Sequence, residues 1–324
     1  MKSIITGITG QTGSYLAEKL LERGDEVYGM IRRSSSFNTS KISHIYNHPK
    51  LKLVFGDLSD SLSITSLIGD VKPDVFFHLG AQSHVKVSFD IPEYTFDINA
   101  TGTMRCLESL RKIKPDCKFL CAATSELFGS SPPPQNENTK FHPRSPYSAA
   151  KIAAYFATVN YREAYNMHSS NTISYNHESP RRGETFITRK ITRAATRIKL
   201  GLQDELVVGN TDAKRDWIHA KDVVEAMLLV TSADKADDYV VSSGKSRSVQ
   251  DLIQFTFDSL DLDWKKYIRV DSKYFRPSEV DHLCGDSEKI NKALGWKPLI
   301  SFEEMIKEMI ESDLDLAKKE MSNA

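Results

Sequence analysis

Three glycines, Gly7, Gly10 and Gly13, stand between a short apolar run, Ser3–Thr6, and a stretch whose leucines recur at helical spacing, Leu16, Leu20 and Leu21. This arrangement leaves few folds open. A strand that turns straight into a helix needs residues without a Cβ where the backbone doubles back. The helix start it creates attracts anions, because its first amides have no partners within the helix. Gly7-Ile8-Thr9-Gly10-Gln11-Thr12-Gly13 therefore reads as a strand–turn–helix unit that closes on the diphosphate of a dinucleotide. The helix it opens stops at Gly24.

Beyond Gly24 the chain repeats the pattern. Strands are expected at 26–31, 52–55, 75–79, 118–123 and 170–175, and helices at 61–68, 92–111 and 145–165. Val75–Leu79 is continuously apolar, as in a strand buried on both faces. Such alternation predicts an α/β fold with a Rossmann-type, doubly wound parallel sheet. After Tyr175 the pattern loosens. Residues 177–183 read as a loop rich in Pro and Arg, followed by helices at 186–201, 220–231, 248–259 and 302–319 and short strands at 206–208 and 239–242. Residues 1–175 are thus expected to form a nucleotide-binding domain, to which segments near 215–243 return. Residues 176–324 are expected to form a smaller, mostly helical substrate domain. Ser130–Pro134 reads as a surface loop.

A chain of 324 residues suffices for both parts. Lys+Arg and Asp+Glu are both 43, a balance that argues against non-specific nucleic-acid binding but not against a local basic pocket. No apolar run approaches the roughly 18 residues of a membrane span, and the N-terminal apolar run breaks at Gly7, too early for a signal peptide. The four cysteines, Cys106, Cys117, Cys121 and Cys284, complete no metal site with histidine and read as buried, reduced thiols of a cytoplasmic protein.

Cofactor choice is read where the second strand ends. An acidic residue there would bind a ribose 2′-hydroxyl; this chain has Arg32-Arg33-Ser34-Ser35-Ser36, whose guanidiniums and hydroxyls suit a 2′-phosphate and hence NADP. Asp57, after the third strand, can hydrogen-bond an adenine, and Leu79-Gly80-Ala81-Gln82-Ser83 ends the fourth strand, where such a sheet keeps its ligand crevice. Tyr147 and Lys151 lie four apart in an expected helix and share a face. A nearby ammonium is expected to stabilise the phenolate and lower the tyrosine pKa, so that Tyr147 can take a proton from a sugar hydroxyl while hydride leaves. Thr124 and Glu126 follow the fifth strand. Once C4 of a sugar is oxidised to a ketone, its C5 proton is acidic, and a carboxylate such as Glu126 can remove it and then protonate the departing C6 hydroxyl.

With these residues in hand, the chain resembles the GDP-mannose 4,6-dehydratases, a family of extended short-chain dehydrogenase/reductases. The resemblance runs nearly end to end. It includes Arg32–Thr39, Leu79–Lys86, Thr124–Leu127, Asn176-His177-Glu178-Ser179-Pro180-Arg181-Arg182-Gly183, Asp212–Trp217 and Arg276–Asp281. It implies a catalytic set of Thr124, Glu126, Tyr147 and Lys151. It implies NADP contacts from Gly7, Thr9, Gly10, Gln11, Thr12, Gly13, Arg32, Arg33, Ser34, Ser35, Asp57, Leu58, Leu79, Gly80, Ala81, Gln82, Ser83, Tyr94, Tyr147, Lys151, His177 and Arg182. Around a GDP-sugar it implies Ser83, Ser125, Asn176, Lys190, Arg215, Arg276 and Glu279, beside Thr124, Glu126 and Tyr147.

The expected reaction converts GDP-mannose to its 4-keto-6-deoxy form and water, for deoxysugar synthesis of the GDP-fucose or GDP-rhamnose type. A homo-oligomer is expected, with the Arg32–Thr39 loop at a tetramer interface. Three positions depart from the family pattern. Thr12 replaces Asp, Phe128 replaces Tyr with loss of a hydroxyl close to the sugar, and Ser148 replaces Gly. A dehydratase of another nucleotide-sugar and a catalytically silent NADP-binding regulator are the alternatives.

Overall fold

The computed structural model describes residues 1–275 and 277–322. Among the described residues twelve strands are formed: β1 Lys2–Thr6, β2 Glu26–Ile31, β3 Leu51–Phe55, β4 Val75–His78, β5 Lys118–Thr124, β6 Ser169–Ser174, β7 Asn176–Glu178, β8 Leu206–Val208, β9 Lys214–His219, β10 Asp238–Val241, β11 Ser246–Ser248 and β12 Ile268–Val270. Seven of them make one sheet in the order β3-β2-β1-β4-β5-β6-β10, and every pair is parallel. The strand order reverses between β1 and β4. At that point two crossovers leave in opposite directions and open a crevice at the strands' carboxyl ends. This is the Rossmann-type doubly wound sheet that the alternation predicts.

Helices cover both faces, as a parallel sheet requires. Gln11–Glu22 and Ala220–Ser232 bury Leu16, Leu20, Val223 and Met227 on one face. Ser61–Val71, Gly102–Ile113 and Pro146–Tyr165 bury Ile64, Leu67, Leu107 and Ala154 on the other. A third core joins helices Ile187–Lys199, Val249–Asp258 and Phe302–Ser322 to β8 and Trp217.

Three differences from expectation matter for the site. Residues 177–183, expected as a loop, begin in β7, which pairs with β9. The helix expected over 92–111 is interrupted by a π-helical turn, Asp97–Thr101. The strands β9, β11 and β12 and the helix Glu288–Leu294 have no counterpart in the sequence reading. β11 and β12, of three residues each, are too short to show a readable period, and the ladders of all three strands form with distant partners.

One departure from the family pattern finds its reason here. Ser148 accepts from the Ser145 amide at 3.1 Å while Ser145 Oγ accepts from the Ser148 amide at 3.1 Å. This reciprocal cap, with Pro146 in the first turn, starts the Pro146–Tyr165 helix and stabilises it by about 1 kcal/mol.

Candidate active site

The carboxyl ends of the central strands open into one cavity of about 1020 Å³ that runs from the glycine turn, past Thr124, Glu126, Tyr147 and Lys151, to Lys190 and Tyr274. The glycine turn forms its floor. Gly7 has φ +75, and a Cβ there would stand 3.0 Å from the Gly80 backbone. A Cβ at Gly13 would meet the Gly7 carbonyl oxygen at 2.3 Å. The first turn of helix Gln11–Glu22 carries no acidic residue and no side-chain cap, so its amides are left for a ligand anion. Gln11, Thr12 and His177 tie this turn to β7. Gln11 Nε2 donates to the His177 carbonyl at 2.9 Å, and His177 Nε2 lies 2.9 Å from Thr12 Oγ1. The other ring nitrogen of His177 lies 2.9 Å from the Tyr175 carbonyl, which can only accept, so Nδ1 carries the proton and Thr12 donates to Nε2. Burial, with Arg182 nearby, lowers the His177 pKa to about 4.

The loop after β4 is fixed from beneath. Thr6 Oγ1 accepts from the Leu79 and Gly80 amides at 3.1 and 2.9 Å. Asn99, buried inside the π-helical turn, accepts from the Gln82 amide and donates to the Gln82 carbonyl, both at 2.9 Å. The turn thus sets the side chain that clamps the loop, a use typical of such bulges. Asn99 is invisible to motif reading because it lies inside an apparently regular helix. The Gln82 side chain bonds to His84 and Thr95, and Leu58 belongs to the apolar core.

Thr124 ends β5, and its hydroxyl accepts from the Glu126 amide at 3.3 Å, starting the turn Ser125–Leu127. Glu126 is 6% exposed and lines the cavity. Tyr147 is held from its backbone, whose amide donates to Ser88 Oγ at 3.2 Å. The expectation that Lys151 lowers the phenol's pKa is corrected. Burial raises Tyr147 to about 12. The Thr124 hydrogen bond opposes the rise, the Glu126 charge adds to it, and Arg182 opposes it. Lys151 is itself buried, which lowers its pKa, and its ammonium donates to the Ala122 carbonyl at 2.9 Å.

At the far end, Asn176 and Lys190 line the cavity. Lys190 donates to the Val207 carbonyl at 2.7 Å and lies 4.4 Å from the Tyr274 ring centre. His84, Lys86, Phe186, Lys273 and Tyr274 also line it. None belongs to the site residues expected from the sequence, and Lys273 and Tyr274 arrive only through the turn Ser272–Tyr274 after β12.

Other expected contacts lie off the cavity wall. Arg215 is buried in β9 and donates to the Lys214 carbonyl at 2.9 Å, while Glu279 is half-buried; neither lines the cavity. Arg276 lies outside the described residues. Thr9, Arg32, Arg33, Ser34, Ser35, Asp57, Leu58, Gly80, Gln82 and Tyr94 do not line the cavity. Arg32 reaches Tyr94 Oη at 3.0 Å, and the Asp57 carboxylate accepts from Ser59. Phe128, expected close to the sugar, is fully buried against Phe141 and Tyr175 and does not line the cavity. The lost hydroxyl therefore leaves the cavity wall unchanged.

Comparison with known proteins decides the family. The family model described as GDP-mannose 4,6 dehydratase matches residues 4–309. GDP-mannose 4,6 dehydratase 1 of Arabidopsis thaliana is 53% identical, with 98% of this chain and 91% of the relative covered. This chain belongs to the GDP-mannose 4,6-dehydratase family. The Homo sapiens GDP-mannose 4,6 dehydratase is 47% identical over 98% of this chain and 92% of its own. Among solved structures, a dTDP-glucose 4,6-dehydratase of Streptomyces venezuelae, with NAD and TYD bound, superposes with a TM-score of 0.86 at 23% identity, covering 96% of each chain. RMD from Pseudomonas aeruginosa, complexed with NADPH, gives a TM-score of 0.80 at 25% identity, covering 97% of this chain and 99% of its own. The family's fold is thus shared well beyond its sequence neighbours. Among the described residues, no His, Cys, Asp and Glu cluster suits a metal, and no helix is long and apolar enough to cross a membrane.

Proposed function

We propose that this chain is a GDP-mannose 4,6-dehydratase, a hydro-lyase that uses NADP to make GDP-4-dehydro-6-deoxy-D-mannose and water. The observation that carries the reading is the convergence of Thr124, Glu126, Tyr147 and Lys151 on one cavity with the glycine turn. The residues present fit a dinucleotide, since the Gly7 and Gly13 cradle has no room for a Cβ and the helix amides beside it are uncapped. Arg32 and Arg33, exposed just past β2, favour a 2′-phosphate and hence NADP. Bound NADP⁺ supplies the acceptor, and later the donor, of one hydride.

The chain's own groups handle protons. Tyr147 Oη takes the C4 hydroxyl proton, and the Thr124 hydroxyl and Arg182 favour the phenolate against burial. Glu126 removes the C5 proton and returns it to the C6 oxygen, which leaves as water; a proton is later restored at C5. Asn176 and Lys190 hold the GDP-sugar, and Ser83 and Ser125 flank the sugar, as all four line the same cavity. Residues 1–175 with β10 serve the cofactor, and most of the remainder serves the sugar-nucleotide. The exposed Phe37, Tyr94, Phe96 and Phe156 support a homo-oligomer, and four free cysteines suit a reducing cytoplasm.

The test is incubation with GDP-mannose in deuterated water, followed by NMR. Deuterium at C5 of a 4-keto-6-deoxy product is expected. Unchanged GDP-mannose with NADP bound would defeat the substrate assignment.

A further inference from the structure

A second recess, of about 370 Å³, opens beside the first. The turn Ser40–Ile45 and the segment after β7 wall it, bringing Lys41, His44, Arg181, Arg182 and Arg189 together against one lining carboxylate, Glu184. Such a surplus of cations in a concave site is costly unless each of them finds a neutralising partner.

Four are engaged. Arg189 donates to Asp313 at 2.7 Å and to the carbonyls of Pro180 and Arg182. Arg182 pairs with Glu178 at 3.0 Å. Arg181 lies over the Tyr15 ring and pairs with Glu18 at 2.6 Å. His44 reaches the same Glu18 oxygen at 2.5 Å, so one carboxylate serves two groups. Glu184, largely exposed, is drawn outward to Arg193 at 3.7 Å. Lys41 is the exception: no hydrogen bond or ion pair joins it to another described residue. It is half-buried, and burial lowers its pKa, with the Arg189 charge adding to the effect, Glu184 opposing it and Arg181 adding again. A half-buried ammonium set beside guanidiniums is destabilising unless an anion joins it.

We propose that this recess binds a small phosphate-bearing anion, with Lys41 Nζ as its principal contact and Arg181, His44 and Ser40 around it. Its volume falls at the low end for ligand pockets, roughly 300–1000 Å³, which suits inorganic phosphate or a compact phosphate monoester. The shared chemistry is the phosphate dianion. The site is distinct from the cavity described above, although Arg182 and Glu184 line both, and the inference does not depend on the proposed reaction.

The experiment titrates inorganic phosphate and, separately, glucose 6-phosphate into the purified full chain by calorimetry, alongside melting curves with and without each anion. Two variants accompany it: Lys41→Met, and Lys190→Met as a control in the main cavity. Lys41→Met is expected to weaken binding about tenfold or more, the loss of one charge-assisted hydrogen bond, while Lys190→Met leaves it unchanged. Without phosphate, Lys41→Met melts no lower than the parent; with phosphate, only chains that keep Lys41 gain stability. Tighter binding of the monoester would identify a metabolite as the ligand, and tighter binding of the free ion would identify phosphate itself. The proposal is overturned by no saturable binding, by loss in Lys190→Met but not in Lys41→Met, or by a Lys41→Met chain that no longer folds.

Discussion

Gly13→Ala puts the glycine cradle to a quantitative test. The added methyl would sit 2.3 Å from the Gly7 oxygen, 2.8 Å from Ile8 Cα and 2.9 Å from the Gly7 carbonyl carbon. All three are backbone atoms, so no rotamer change relieves the clash; the helix start must move by on the order of 1 Å relative to the turn. The strain is worth about 1–3 kcal/mol, partly offset by the 0.4–1 kcal/mol or so that alanine gains by restricting the unfolded chain. For a chain of this length the melting temperature should fall by roughly 1–4 °C. Affinity for NADP⁺ should fall about tenfold or more, because the displaced amides lose a charge-assisted bond to the diphosphate. Gly69→Ala is the control. It lies in helix Ser61–Val71 with nothing within 4 Å of the new methyl, and it should stabilise by about 0.5–1 kcal/mol without touching cofactor affinity. Calorimetric titration with NADP⁺ and differential scanning calorimetry read both quantities. A Gly13→Ala chain that melts with the parent and binds NADP⁺ equally well would refute the cradle.

Other parts of the site carry their own expectations. Glu126→Gln should fold and bind NADP⁺ but lose at least about a hundredfold in elimination, measured by NMR of the sugar product; full turnover would remove Glu126 from the base role. Asn99→Leu strands the Gln82 amide and carbonyl and should cost about 2–5 kcal/mol in urea unfolding while weakening NADP⁺ binding; unaltered cofactor affinity would show that the loop holds itself. Burial, with Lys151 adding, lowers the His78 pKa from 6.5 to about 3. The unfolded chain therefore binds the proton more readily, so this stability is full above pH 6.5 and is lost as pH falls from 6.5 toward 3, by about 5 kcal/mol in all and by about 3 kcal/mol down to pH 4.5. Urea midpoints between pH 7 and 4.5 should drop accordingly, less steeply in His78→Gln; an equal slope would acquit His78.

Local chemistry made much of this legible in the chain itself. The glycine turn, the alternation of apolar runs and helical stripes, and the Tyr147/Lys151 spacing each depend on neighbours within a turn or a strand, so sequence carries them directly. β2 spans the 26–31 that its own residues predict, for that reason. The Ser148 cap is equally local, since both of its hydrogen bonds join residues three apart. What the tertiary structure decided depends on contacts made across the chain. Phe128 sits two residues from Glu126, yet it packs into the core while Glu126 lines the cavity, because the turn Ser125–Leu127 points the two differently. Arg215 belongs to a buried strand, and Tyr274 reaches the cavity only through the pairing of β12 with β8. The phenol's pKa depends on the tertiary structure on the same ground. Spacing brings a lysine to the same helical face, but only packing sets how far both groups leave water, and for Tyr147 burial outweighed every nearby charge.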